Sequence, residues 1–256
     1  MSRRTFVGLG FGPIQGGLFL LEAQRSEHFD RLVVAEVVSE WVDGVRRAGG
    51  RYHVNVATAA GIKDVTVNNV EILNPQVASD RETLVTALAE ASEIATALPS
   101  VDFYRRGDAP PAELLARGLD LKSRRPAAPP CVIYTAENHN HAAEILQQEC
   151  EASLDLQARA FVRNSVQFLN TVIGKMSGVV ADAGEIRAGG LAGLVESHSR
   201  AFLVEEFNHI LISQIRLPGF RRGIEVFVEK PDLLPFEEAK LYGHNAVHAL
   251  LGFLAR

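Results

Sequence analysis

The stretch RTFVGLGFGPIQGGLFLLEAQR, residues 4–25, decides the fold. Phe6 and Val7 carry a short apolar run, glycines and a proline interrupt it, and GLFLLEAQR (17–25) continues at helical spacing. The segment therefore reads as a β-strand, a tight turn and a helix. A second apolar run, RLVVAEVV (31–38), is continuous, as expected of a strand buried on both faces. A strand, a helix and a second strand within the first 38 residues make a βαβ unit, so the chain is α/β with a Rossmann-type start.

The glycine turn has two registers. One uses Gly8 and Gly10, with Pro13 where a third glycine would stand; the other uses Gly10 and Gly12, with Gln15 in that place. Neither completes G-x-G-x-x-G. The first glycines of such a turn let backbone N–H groups approach a pyrophosphate at the helix N-terminus, and the third lets helix and strand pack closely. Both registers stay open at this point. The candidate cofactor contacts are Gly8, Gly10, Gly12, Ile14 and Gln15. Glu36, at the end of the second run, is placed to accept from a ribose 2′-hydroxyl, which favours NAD over NADP.

Composition narrows the function classes. With 256 residues and 47% hydrophobic side chains the chain can bury a full core without staples. A net charge of −5 gives no surface for a general polyanion, so no nucleic-acid partner is expected. Cys131 and Cys150 are too few for a disulfide framework or a zinc ribbon and read as reduced thiols. No apolar run reaches the length of about eighteen residues that a membrane span needs. The basic start MSRR is followed at once by glycine-interrupted sequence, a poor signal peptide. The expected location is cytoplasmic.

Further along, RYHVNVA (51–57) alternates as a strand, and DRETLVTALAEASEIATAL (80–98) runs at helical period behind Asp80 as N-cap. CVIYTA (131–136) reads as a strand, HNHAAEILQQECEASL (139–154) as a helix, and ADAGEIRAGGLAGL (181–194) as loop. PFEEAKLYGHNAVHALLGFLAR (235–256) is a closing helix, opened by Pro235 and acidic Glu237 and Glu238. The expected organisation is a dinucleotide-binding domain over residues 1–195 and the first part of a helical domain over 196–256.

The closing helix admits two chemistries. His244 and His248 are one turn apart and could share a metal, with His139 or His141 as a third ligand. Asn245, however, stands where a metalloprotease motif has its glutamate base, and no metal is expected. Alternatively, Lys240, Asn245 and His248 fall within an arc of about 140° at about 100° per residue and look into one cleft. Oxidising an alcohol by hydride transfer needs a base for the hydroxyl proton and donors that hold the oxygen. A partly desolvated lysine can be that base.

These residues resemble the polyol-specific long-chain dehydrogenases, whose motif is K-x4-N-x2-H. Lys240, Asn245 and His248 have that spacing. The resemblance implies Lys240 as general base, Asn245 and His248 as groups that hold and orient the substrate oxygen, and Glu237 as a proton relay to solvent. YTAENHNHAAEIL resembles a family segment with a paired acid and asparagine, here Glu137 and Asn138, and implies Asn138 beside the cofactor. Its AEN form is closer to the mannitol-phosphate branch. By the same comparison, the helix of 80–98 should end early, with a strand near TALPSVDFY. Three departures stand out. Gln15 replaces a glycine; Gln167 and Phe168 fall where the family has aspartate and arginine; and the sequence stops eight residues after His248, where the family continues into a helical domain.

The implied activity is NAD-dependent interconversion of a polyol or polyol phosphate and its ketose, on a small-molecule substrate. The alternative is a non-catalytic NAD-binding relative, a sensor or partner-binding protein. Assembly of identical chains is one way in which such a site could be completed.

Overall fold

The computed structural model describes residues 4–126, 128–196 and 199–254; the side chains of His244, Asn245 and His248 lie outside the described set. The chain opens with β1 (Thr5–Leu9), a π-helical segment Gln15–Leu20 that runs directly into α1 (Leu21–Ser26), and β2 (Arg31–Ala35). Next come α2 (Ser39–Arg47), β3 (Tyr52–Thr58), β4 (Gly61–Val67) and β5 (Val70–Leu73). α3 (Ala78–Glu90) leads directly into β6 (Ala91–Thr96). A 3-10 turn, Val101–Arg105, precedes α4 (Pro111–Ser123), β7 (Cys131–Thr135), α5 (Ala142–Ala152), α6 (Leu156–Ser165) and β8 (Val166–Val172). The chain closes with β9 (Ser177–Val180), α7 (Ala183–Ala188), β10 (Ala201–Glu205), β11 (Ile210–Ser213), β12 (Phe227–Lys230), α8 (Leu234–Ala239), a π-helical segment Lys240–Asn245 and α9 (Ala246–Leu254).

Eight strands form the main sheet in the order β12-β11-β8-β7-β6-β1-β2-β5. From β5 to β8 all pairs are parallel; β8 pairs antiparallel with β11. The chain lays β2 on one side of β1 and β6 on the other. The loops after β1 and β6 therefore diverge and leave a crevice at the carboxyl ends of these strands, where open α/β sheets bind ligands. The strands are buried on both faces: Phe6 belongs to one core and its neighbour Val7 to the other. Leu84, Leu115, Leu146 and Val162 bring α3 to α6 onto one face. The other face is covered by α1 and by a second sheet, β4-β3-β10-β9, through Phe19, Tyr52 and Phe202. Among the described residues no helix is long and apolar enough to cross a membrane. Cys131 and Cys150 are both buried and unpaired.

Several elements differ from expectation. β2 ends at Ala35 rather than 38, because the Glu36 carboxylate takes the N–H groups of Val37 and Val38 and turns the chain. The helix over 80–98 ends early, at Glu90, as the family comparison implied, and the strand it makes room for is residues 91–96, buried throughout and just ahead of the stretch expected. Small residues at helical spacing concealed that strand, and pairing with β1 and β7 overrides the local preference. The buried Lys122 amine donates to the carbonyls of Ala89 (3.4 Å) and Ala91 (2.7 Å), satisfying acceptors where the helix stops. Asp80 sits inside the first turn of α3 rather than capping it, and accepts from the Asn74 N–H and from Arg46. The stretch 181–194 contains α7, capped by Asp182. The boundary expected at residue 195 cuts hydrogen-bonded strands. β10 pairs with β3 and β11 with β8, so the sheets continue to Lys230 and the closing helices begin at Leu234.

Candidate active site

The structure selects the register of the glycine turn. Gly10 has φ of +87°, the left-handed conformation a side chain resists, and a Cβ there would fall 2.7 Å from the Ala97 carbonyl. A Cβ on Gly12 would meet nothing within 4 Å, so the backbone is bare toward the crevice where the helix begins. Gly8 lies inside β1 and does not face the crevice: a Cβ there would fall 2.2 Å from Gln15 Nε2. Gln15 is fully buried over it, and neither of its amide atoms has a partner among the described residues. Gly8 and Gln15 are thus packing residues, a correction to their expected place on the cofactor. Gly10, Gly12, Ile14 and Glu36 line the crevice.

That crevice has a volume of about 620 Å³ and is walled by Val37, Val38 and Trp41 on one side and by Leu98, Pro99 and Phe103 on the other. Its bare glycine backbone at a helix N-terminus and its apolar flanks fit a dinucleotide. Glu36 is buried at its edge. Its carboxylate accepts from the N–H of Phe11 (3.0 Å), Val37 (2.9 Å) and Val38 (2.8 Å). Burial pushes this carboxyl above its usual range, and the three N–H groups pull against that. Glu36 therefore ties the glycine turn to the end of β2 as well as facing the crevice.

A second, smaller cavity of about 60 Å³ lies where the closing helices meet the ends of β7 and β8. Asn138, His139, Thr171, Val172, Glu237 and Lys240 line it. Lys240 Nζ donates to Asn138 Oδ1 at 3.1 Å, joining residues 102 apart in sequence. With Lys240 as an ammonium, which can only donate, Asn138 Oδ1 faces it and the amide NH2 is turned away. Burial pushes the Lys240 ammonium below its usual range, and Glu237 one turn earlier pulls the other way. Burial raises the Glu237 carboxyl against the pull of His141 and Lys240. The asparagine expected at the cofactor is thus held by the lysine.

Beneath Asn138, the Glu137 carboxylate is buried and accepts from Thr96 Oγ1 (2.9 Å), the Leu98 N–H (2.8 Å) and the Tyr104 hydroxyl (2.5 Å). It locks the end of β7 to the end of β6. Thr96 and Tyr104 carried no signal in the sequence; they are found only through this carboxylate. Gln167 and Phe168, read as departures at the substrate site, lie elsewhere. Gln167 bonds the Gln214 carbonyl and the Arg216 N–H, and Phe168 is buried under α5 and α6. The cavity-facing end of β8 is Thr171 and Val172, so the changes at 167 and 168 do not touch it.

Position 245 lies five residues after Lys240 in a π-helical segment, which bonds i to i+5 and draws the two positions toward one side. The expected roles of Asn245 and His248 fall on side chains outside the described residues. Among the described residues no group of three or more His, Cys, Asp or Glu side chains could hold a metal, and the ligands of the metal alternative, His244 and His248, are outside that set.

No protein-family model matches the chain. Among curated proteins it is 23% identical over 224 residues to a mannitol-1-phosphate 5-dehydrogenase of Lacticaseibacillus casei (strain BL23), covering 86% of this chain and 51% of that protein. A protein of the same name from Streptococcus pneumoniae (strain Hungary19A-6) is 25% identical over 206 residues, 80% of this chain and 48% of its own length. The chain spans about half the length of the curated relatives it matches. Among solved structures, the Pseudomonas fluorescens mannitol 2-dehydrogenase, in ternary complex with NAD and D-mannitol, matches with a TM-score of 0.72 at 12% identity, over 93% of this chain and 55% of that one. A D-sorbitol dehydrogenase in substrate-free form gives 0.71 at 10%, over 93% and 56%. The fold is that of these enzymes. Both comparisons return the polyol dehydrogenases, the family that the lysine motif resembles.

Proposed function

We propose, for this relative of the polyol dehydrogenases, an NAD-dependent oxidoreductase that interconverts a secondary alcohol of a polyol or polyol phosphate and the corresponding ketose. The observation that carries the reading is the Lys240–Asn138 contact. A half-buried lysine, its ammonium held below the usual range, sits at the carboxyl ends of the parallel strands beside an amide whose NH2 is turned away. The crevice at Gly10, Gly12 and Glu36 would hold the dinucleotide. When bound, NAD supplies the acceptor for the hydride of the carbinol carbon.

In this reading, neutral Lys240 takes the hydroxyl proton as the C–H bond breaks and returns it in ketose reduction. Asn138 Nδ2 and the side chains of Asn245 and His248 hold the oxygen as charge builds on it. Glu237 passes the proton from Lys240 toward solvent. Glu137 is a positioning residue, since it fixes the strand end that carries Asn138. The AEN form and the curated relatives favour a phosphorylated hexitol as substrate.

The test is NADH binding by fluorescence, repeated with mannitol 1-phosphate, fructose 6-phosphate and D-mannitol. Binding that responds to one of these, followed by turnover on it, is the expected result. Binding of NADH with no response to any of them would make the chain a cofactor-binding protein without this activity. Failure to bind NADH would overturn the reading altogether.

A further inference from the structure

We propose that His139 reads a substrate hydroxyl in the Lys240 cavity, donating to it through Nε2. This rests on the alcohol-oxidising reading above and names a specificity-determining residue for it. The motif that identified Lys240 gives no reason to single out His139; the cavity does, since His139 lines it together with Asn138, Glu237 and Lys240.

The local hydrogen bonds fix the ring. His139 Nδ1 lies 3.1 Å from the backbone N–H of His141, which donates to it. A nitrogen that accepts an N–H holds a lone pair, so the neutral ring carries its proton on Nε2. The backbone is held on both sides. The His139 N–H donates to the Glu137 carbonyl at 2.8 Å, and the His139 carbonyl accepts from the Ala142 N–H at 3.2 Å. The ring also stands edge-on to that of His141, with centroids 6.2 Å apart. Nε2 has no partner among the described residues. The result is a preset N–H donor on the wall that carries Asn138.

The rest of the cavity complements it. The Thr171 hydroxyl donates to the Thr135 carbonyl at 2.8 Å, so toward a ligand it can only accept. His139 offers a donor where Thr171 offers an acceptor. A polyol bears a hydroxyl on every carbon, so a substrate whose carbinol meets Lys240 brings further hydroxyls to these walls. A hydroxyl both donates and accepts, and it suits such a pair. A site built to hydrogen-bond a hydroxyl rejects the analogue that lacks it, because its own polar groups are then left unpaired.

The test uses two variants. In His139→Asn the amide oxygen can still accept the His141 N–H, a local bond typical of asparagine, while the donor at Nε2 is lost, because the amide NH2 ends one bond short of that place. His139→Leu removes both. Each protein is titrated with NADH, and the NADH-bound form with D-mannitol, mannitol 1-phosphate and the monodeoxy forms of mannitol. The expected result is that His139→Asn keeps the NADH affinity and Tm of the parent. It should bind the preferred polyol about tenfold more weakly, and it should no longer discriminate against the one deoxy form that the parent rejects. An unchanged polyol affinity, or weakened binding with that discrimination retained, overturns the proposal and leaves the alcohol reading standing. A parent protein that binds NADH and none of the polyols overturns the alcohol reading, and the role of His139 with it.

Discussion

The Gln15 amide lies across the α-carbon of Gly8, so close that a methyl group on Gly8 would fall 2.2 Å from Nε2. In a full G-x-G-x-x-G turn the helix carries the glycine that lets strand and helix approach. Here the helix carries a glutamine and the strand carries the glycine. Gly8→Ala should therefore lower stability by about 1–3 kcal/mol through overpacking. In a Gln15→Gly background the same substitution should cost much less, although Gln15→Gly itself costs about 1 kcal/mol for a glycine in a helix. Urea unfolding of the four proteins of the cycle measures the coupling, and additive effects would contradict the contact.

Glu36 predicts an outcome different from that of a simple ribose discriminator. Because its carboxylate accepts the Phe11, Val37 and Val38 N–H groups, removing it loosens the turn itself. Glu36→Ala should weaken NADH and NADPH binding together and lower stability by about 1–3 kcal/mol. Fluorescence titration with both cofactors checks this. A variant that gained NADPH affinity would assign the carboxylate to the 2′ position alone.

Lys240→Ala should reduce turnover by about 10²–10⁴-fold and leave NADH affinity unchanged. Lys240→Arg should not rescue it, because a guanidinium stays protonated. Burial lowers the Lys240 pKa, so alcohol oxidation should rise with pH and level off below the usual ammonium range near 10.5. A pH profile that is the same in Lys240→Ala would assign the base to another group.

The buried Glu137 makes a prediction about pH and stability. Burial raises its folded pKa above the ordinary 4.5, against the opposing pull of the Tyr104, Leu98 and Thr96 hydrogen bonds. A raised carboxyl contributes stability that is fully present below the unfolded value and is lost as pH rises through the folded one. Glu137→Gln stays neutral and can still accept from Leu98. Its urea midpoint should therefore fall less than that of the parent as pH rises above 4.5. Parallel curves for the two proteins would mean that Glu137 does not titrate in that window.

What the sequence disclosed was local. The first strand, turn and helix, and the acid after the second strand, follow from neighbours within a few residues. The register of the turn did not, because it depends on the φ of Gly10 and on where Gln15 packs. β6 was concealed because its strand character comes from β1 and β7 and not from its own small side chains. The second sheet joins β3 to β10 across about 150 residues, beyond any sequence window. At the site, spacing brought out Lys240, whereas Glu237 and Asn138 came from the family resemblance. His139 entered only as a candidate metal ligand and Thr171 not at all; their place beside Lys240 emerges once β7 and β8 are seen to end side by side.

The π-helical segment Lys240–Asn245 has a consequence for the chain beyond it. Such a segment is an α-helix with one residue inserted, and one residue is worth about 100° of rotation. α9 is therefore turned by about that much relative to a straight continuation of α8. The apolar stripe of the closing helices, traced at 3.6 residues per turn, loses its phase at the motif, and no single face can be drawn from Leu234 to Leu254. A deletion of one residue inside the segment would restore a regular helix and a continuous stripe. It would also rotate every later backbone position by about 100° relative to Lys240.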